Sequence, residues 1–188
     1  MKMKTIVLAA AAALCATAFA DFKVGTVDML KLMRNHPNYP ANKALLESTE
    51  KDNQKKVDAI KDEGESLQAE GKKMLEQRSN PMLSDEAKRK IEKDLATLQQ
   101  KLISIEQRYR AEAMRARQEL QDLESRILKA TGEDLRKRID KFAAAKGYEM
   151  IIDRAAVPYS AGKFDLTAEI LLDMGVNPKD AKNPDEGK

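Results

Sequence analysis

The sequence has no tryptophan, one histidine, one cysteine and only 4% aromatic residues, and each shortage closes a route. Cys15 lies in an apolar leader, so once that leader is removed no thiol remains to form a disulfide, bind a metal or attack a carbonyl. His36 sits in the loop-like stretch Arg34-Asn35-His36-Pro37 with no second imidazole or remaining thiol to join it, which excludes a nucleophilic triad or a zinc centre on composition. Neither common glycine-rich phosphate loop is present. Carboxylate groups such as Asp62-Glu63-Glu65 are abundant, but solvated helix faces carry them routinely. No enzyme activity and no cofactor are expected.

Long apolar runs are missing too, except at the start. Met1-Lys2-Met3-Lys4, the apolar stretch Ile6–Leu14 and the small residues Ala18 and Ala20 make the charged region, short hydrophobic region and A-x-A site of a secretory signal. Residues 1–20 are expected to be a signal peptide cleaved after Ala20. The apolar run is about half of the roughly 20 residues that span a bilayer, and nothing later approaches that length. No transmembrane segment is expected in the mature chain. Loss of Lys2 and Lys4 lowers the basic count from 34 to 32 against 31 acids, so the dominant basic face of a nucleic-acid binder is absent.

What the chain does have is helical periodicity. Val57, Ile60, Leu67 and Met74 follow one 3,4-spaced series, extended backwards by Leu46 and Asn53 and interrupted by Gly64 and Gly71. A second series runs Ile91, Leu95, Leu98, Leu102, Ile105, Tyr109, then slips after Ala116 to Leu120, Leu123 and Ile127. This is the pattern of helices that meet along a narrow seam, and a compact bundle would need wider apolar faces. Between the series, Asn80-Pro81 signals a turn, and Ser84 followed by Asp85 and Glu86 supplies an N-cap and acids at the positive end of a helix. Residues 41–147 therefore read as a long antiparallel helical hairpin, a coiled-coil arm with its tip near 79–84 and a first helix of about 58 Å. Gly132 is expected to kink or divide the second helix. Gly64 and Gly71, each costing roughly 1 kcal/mol relative to alanine, are expected to let the arm flex.

Large side chains gather at the two ends. Residues 21–40 hold a first strand, Phe22–Val27; residues 148–176 hold a second, Tyr148–Asp153, and a capped short helix from Asp165 that Gly175 ends. The polar segment 177–188 reads as a disordered tail. The fold class is thus mainly α with a small β body. About 60 ordered residues lie near the limit for an independent core, and two strands leave open sheet edges. Both favour oligomerisation.

Two stretches are candidates for binding. At the tip, Met74, Leu75, Met82 and Leu83 lie among Lys88, Arg89, Lys90 and other cations; methionine adapts to varied partners, and basic arms attract acidic ones. Arg108, Arg110, Arg115 and Arg117 surround Met114 in a second basic stretch, whose plainer reading is a charged face beside the seam.

Taken in order, Val24-Gly25-Thr26-Val27-Asp28, a hairpin with a Leu83-Ser84-Asp85-Glu86 tip, Gly147-Tyr148-Glu149-Met150-Ile151-Ile152-Asp153, Tyr159-Ser160 and Asp165-Leu166-Thr167 resemble the Skp/OmpH family of periplasmic chaperones. The resemblance runs to about Gly175. It implies a homotrimer whose strands close a small β-barrel, with Phe22, Val24, Val27, Tyr148, Met150, Ile151 and Ile152 in the trimer body. It also implies three arms that hold unfolded outer-membrane proteins in the cavity between them, without ATP, in the periplasm. Anionic lipid or lipopolysaccharide is a further implied partner, although this mature chain is near neutral where family members are often strongly basic. The alternative from the residues is an exported coiled-coil scaffold without clients. An efflux-pump adaptor would need flanking β domains larger than these ends provide.

Overall fold

The computed structural model describes residues 22–183, so the expected signal peptide, its cleavage point and residues 184–188 lie outside the described residues. In chain order come β1 (Val24–Val27), α1 (Met29–Arg34), α2 (Tyr39–Arg78), α3 (Asp85–Lys146), β2 (Met150–Asp153), two single 3-10 turns, and α4 (Thr167–Asp173). They divide into a body, drawn from residues up to Tyr39 and from Lys129 onwards, and an arm, Pro40–Leu128.

In the body, β1 and β2 pair in parallel, Val24 opposite Met150 through Val27 opposite Asp153. A parallel pair cannot be joined by a tight turn, and the long helices provide the crossover. The Lys23 carbonyl accepts from the Glu149 N–H, whereas the Thr26 carbonyl faces the other edge and accepts from Leu166 N–H at 2.8 Å. That bond makes an isolated bridge between Thr26 and Asp165. Leu166 lies flat on the strand because Gly25 has no side chain: a Cβ there would stand 2.2 Å from Leu166 Cδ1. Such close approach is a characteristic use of glycine inside a strand. The core gathers Val27, Leu32, Leu135, Leu166, Ile170, Leu171 and Met174, with Phe142, Tyr148 and Ile151 packed on its margin.

Local chemistry fixes the element ends. Asp28 caps α1 by accepting from Lys31 N–H, and its own N–H donates to Thr167 Oγ1 at 2.8 Å. Asp165 accepts from both the N–H and the hydroxyl of Thr167, which ties the start of α4 to the same knot. Gly147 and Gly175 have φ of 72° and 78°. Tyr148 N–H bonds Ala143 C=O and Val176 N–H bonds Leu171 C=O, so both helices end in the six-residue return that requires a left-handed residue.

Three expectations need correction in the body. The strands begin at Val24 and Met150, with Phe22 and Tyr148 just ahead of them. Gly132 does not divide α3, which is helical from Asp85 to Lys146; a Cβ at Gly132 would only touch Met33 Cε at 3.7 Å. The tail is not free over residues 177–183. The Asn35 side chain donates to Lys182 C=O at 3.0 Å and accepts from Lys182 N–H at 2.9 Å, and Val176 and Ala181 pack on the core. Low hydrophobicity predicts disorder only when no partner satisfies the backbone; here one side-chain amide does.

Within the arm, α2 and α3 run antiparallel along a narrow seam. Gly64 faces Ile105 and Gly71 faces Leu98, a rise of seven on one helix matched by a fall of seven on the other. Leu98 and Ile105 are buried, as is Asn53, whose amide reaches Ala116 C=O at 3.5 Å. The two glycines are therefore seam residues. Their absent side chains let Leu98 and Ile105 approach the α2 backbone, where a Cβ would meet them at 2.9 and 3.1 Å.

Candidate functional site

The turn that joins α2 to α3 is built by short-range hydrogen bonds. Asn80 Oδ1 accepts from Met82 N–H at 3.0 Å, and Ser84 Oγ accepts from Ala87 N–H at 3.3 Å as the cap of α3. Arg78 and Glu92 close the two helices with a 2.7 Å ion pair. This turn holds Met82 almost wholly in solvent, 90% exposed, with Leu75 half exposed and Met74 and Leu83 partly covered. Arg89 and Lys90 are exposed and Lys88 partly so, and none of the three has an ion-pair partner among the described residues. The tip thus offers a thioether and cations on an open surface.

The sheet in the body is the second feature. β2 has no strand on its outer side among the described residues, and β1 has only the single Thr26 bridge on its other edge. Met150 is 46% exposed and Phe22 61%, while Val24, Ile151 and Ile152 are partly covered and Val27 is buried. Tyr148 stacks on Phe142 with ring centroids 6.1 Å apart, and Lys23 Nζ lies 4.3 Å from the Tyr148 ring. Parallel sheets are ordinarily covered on both faces, so this exposed apolar margin beside unpaired backbone is a surface ready for strand addition.

A third cluster is one that the residue pattern did not indicate. His36 is buried in the turn between α1 and α2, with Nε2 3.0 Å from Asp134 Oδ2. Asn38 N–H donates to Nδ1, so Nε2 carries the proton and donates to the carboxylate. Arg138 Nε donates to the same oxygen at 2.7 Å. The hydrogen bonds from Arg138 and then His36 hold the Asp134 carboxyl below its usual value. Spatial proximity across 98 residues gives no local signal. Among the described residues no group of three or more His, Cys, Asp or Glu side chains is placed to hold a metal.

Residues 23–174 match the model of the family described as outer membrane protein (OmpH-like). The chain belongs to the OmpH-like family. The match takes in both strands, both long helices and α4, and it ends one residue before the Gly175 return. The segment clamped by Asn35 therefore lies beyond the OmpH-like match. No curated protein matches the chain closely enough to be called a relative. No described helix is long and apolar enough to cross a membrane.

Proposed function

We propose that this OmpH-like protein is an ATP-independent periplasmic holdase: a homotrimer, exported behind a cleaved signal peptide, that keeps unfolded outer-membrane proteins from aggregating in a cavity between its arms. The observation that carries this reading is the open parallel edge of β2, flanked by exposed Met150 and Phe22. An edge of that kind is satisfied by another strand, and a second and third copy of the chain would supply it and close a small barrel. Val24, Val27, Tyr148, Ile151 and Ile152 would then line the assembled body.

The arm fits a holding role. Its seam consumes few large side chains, and its outer faces keep apolar groups in solvent, including Leu75 and Met82 at the tip. Met74, Leu83, Lys88, Arg89 and Lys90 complete the tip contacts in this reading, and anionic lipid headgroups would meet the same cations. Membership of the OmpH-like family supports an outer-membrane client.

The test is to dilute a urea-unfolded outer-membrane barrel protein into buffer with the purified chain, measuring light scattering and complex mass. The expected result is suppressed aggregation and one client per three chains. A monomer that leaves aggregation unchanged refutes the proposal.

A further inference from the structure

Along the arm part of α3, positions 96, 99, 103, 107, 110, 114, 117, 121, 125 and 128 return to one side of the helix, because steps of three and four residues share a face. Every one is exposed. None is acidic: Asp94, Glu106, Glu112, Glu119, Asp122 and Glu124 all fall elsewhere around the helix. Ile103, Met114 and Leu128 are 44%, 73% and 58% exposed. Arg110 is paired with Glu106, whereas Arg117 has no ion-pair partner among the described residues. The other positions hold alanine, glutamine or serine. At 1.5 Å per residue this stripe is about 48 Å long.

Beside the stripe the seam opens. Where Ala113 and Ala116 face Asn53 and Val57, small side chains leave a cleft of about 270 Å³ bordered by Tyr109 and Arg117. Arg117 joins the two features, being a stripe residue and a wall of the cleft.

We propose that this stripe and cleft are the principal client grip of the arm, an assignment that rests on the holdase reading above. The occupant is an extended segment of an unfolded membrane β-barrel strand. Such strands alternate apolar and polar residues and carry aromatic girdles. Apolar side chains lie against Ile103, Met114 and Leu128, an aromatic ring enters the cleft next to Tyr109, and a carboxylate pairs with Arg117. Charge supports that occupant, since the stripe itself has no acid and carries an unpaired guanidinium, with Glu50 the one carboxylate lining the cleft; such a face accepts neutral or acidic segments and disfavours lysine-rich ones. A second copy of the arm fits worse. Antiparallel packing of two such stripes about Met114 would set Arg110 of each against Arg117 of the other, like charge on like.

The experiment measures the affinity of the purified protein for a urea-unfolded outer-membrane barrel protein, comparing Met114→Asp, Arg117→Glu and the tip variant Met82→Asp. All three sites are exposed, and helix content by circular dichroism checks that folding is intact. Burying a methionine is worth on the order of one to two factors of ten in affinity, so Met114→Asp should weaken binding by about tenfold or more. Arg117→Glu should weaken binding and flatten its salt dependence, and Met82→Asp, at the lesser contact of the tip, should weaken it by less than Met114→Asp does. The proposal is overturned if Met114→Asp and Arg117→Glu bind as tightly as a wild type that does bind, or if they change oligomer mass in place of client affinity. Loss of binding to anionic phospholipid vesicles with client affinity intact overturns it as well. A wild type that binds no client refutes the holdase reading itself.

Discussion

Replacing Gly25 with alanine would drive a methyl group into Leu166. The added Cβ would stand 2.2 Å from Leu166 Cδ1, 2.9 Å from Cγ and 3.4 Å from Tyr148 Cε1. Leu166 has little room to yield, because it is buried among core residues and its N–H is bonded to Thr26 C=O at 2.8 Å. Overpacking a core costs about 1–3 kcal/mol, and two displaced atoms of one side chain place this case at the upper end. Leu166→Ala alone should cost about 2–5 kcal/mol through the cavity it leaves. In the double variant the new methyl fills part of that cavity, so its cost should fall short of the sum by about 1–3 kcal/mol. Urea unfolding at a fixed protein concentration gives the three values, since the proposed assembly would make stability concentration-dependent. Exchange of the Leu166 amide reports the local effect. A Gly25→Ala change within about 0.5 kcal/mol of wild type, or strict additivity in the double variant, would refute the packing argument.

Asp134→Asn should remove an acid-sensitive contribution to stability. The native carboxyl sits below the ordinary value of 3.8, so the charged form favours the folded state; that gain is present above the ordinary value and is lost as pH falls through the lowered one. Denaturation followed downwards from pH 7 should therefore show a gap between wild type and variant that is constant above about pH 5 and narrows as pH falls below about 4, and a gap that widens on acidification contradicts the sign. The effect is modest, because the Asp134 side chain is 43% exposed and solvent screens it. Asn35→Ala should release the segment 177–183. Each lost bond to Lys182 is worth about 0.5–1.5 kcal/mol net, so amide exchange at Lys182 should speed up by roughly threefold to a hundredfold, and unchanged exchange would mean that Val176 and Ala181 hold the segment without the clamp.

The mainly helical architecture and the long arm were legible because their signals are local. A 3,4 spacing, an Asn-Pro turn and a Ser84 cap each act within a few residues. The small strand pair could be read at both ends, but its parallel sense could not, since that depends on how a crossover of more than 120 residues returns. The glycines show the limit most clearly. Gly25, Gly64 and Gly71 look alike in sequence as weak points, yet each is set by a side chain far away: Leu166, Ile105 and Leu98. An intrinsic helix cost of about 1 kcal/mol predicts flexibility only if nothing is gained by close approach. Here the missing methyl is what lets the seam close. His36 and Asp134, and Asn35 and Lys182, escaped notice for the same reason. Their partners are fixed by the fold and carry no motif. The slip after Ala116 was visible as a broken heptad, but the cleft it opens beside Arg117 was not.

Two kinds of exposed apolar surface occur among the described residues, and their chemistry would separate the proposed assembly from the proposed holding. At the β2 edge, Met150 lies beside unpaired backbone donors and acceptors. A partner there gains directional hydrogen bonds in a fixed register, and such a surface admits one geometry and favours a lasting contact. On the arm, Ile103, Met114 and Leu128 stand on a helix whose backbone is already satisfied. A partner there gains only burial and loose charge pairing, roughly in proportion to the area covered. No single register is preferred, each contact is weak, and the sum grows with the length of unfolded chain engaged. A folded barrel turns its apolar band to lipid and offers no free extended strand, so the arm's hold would lapse as the client folds. In the proposed holdase, release would then need no nucleotide, because the stripe offers a client only apolar or uncharged polar side chains and two arginines.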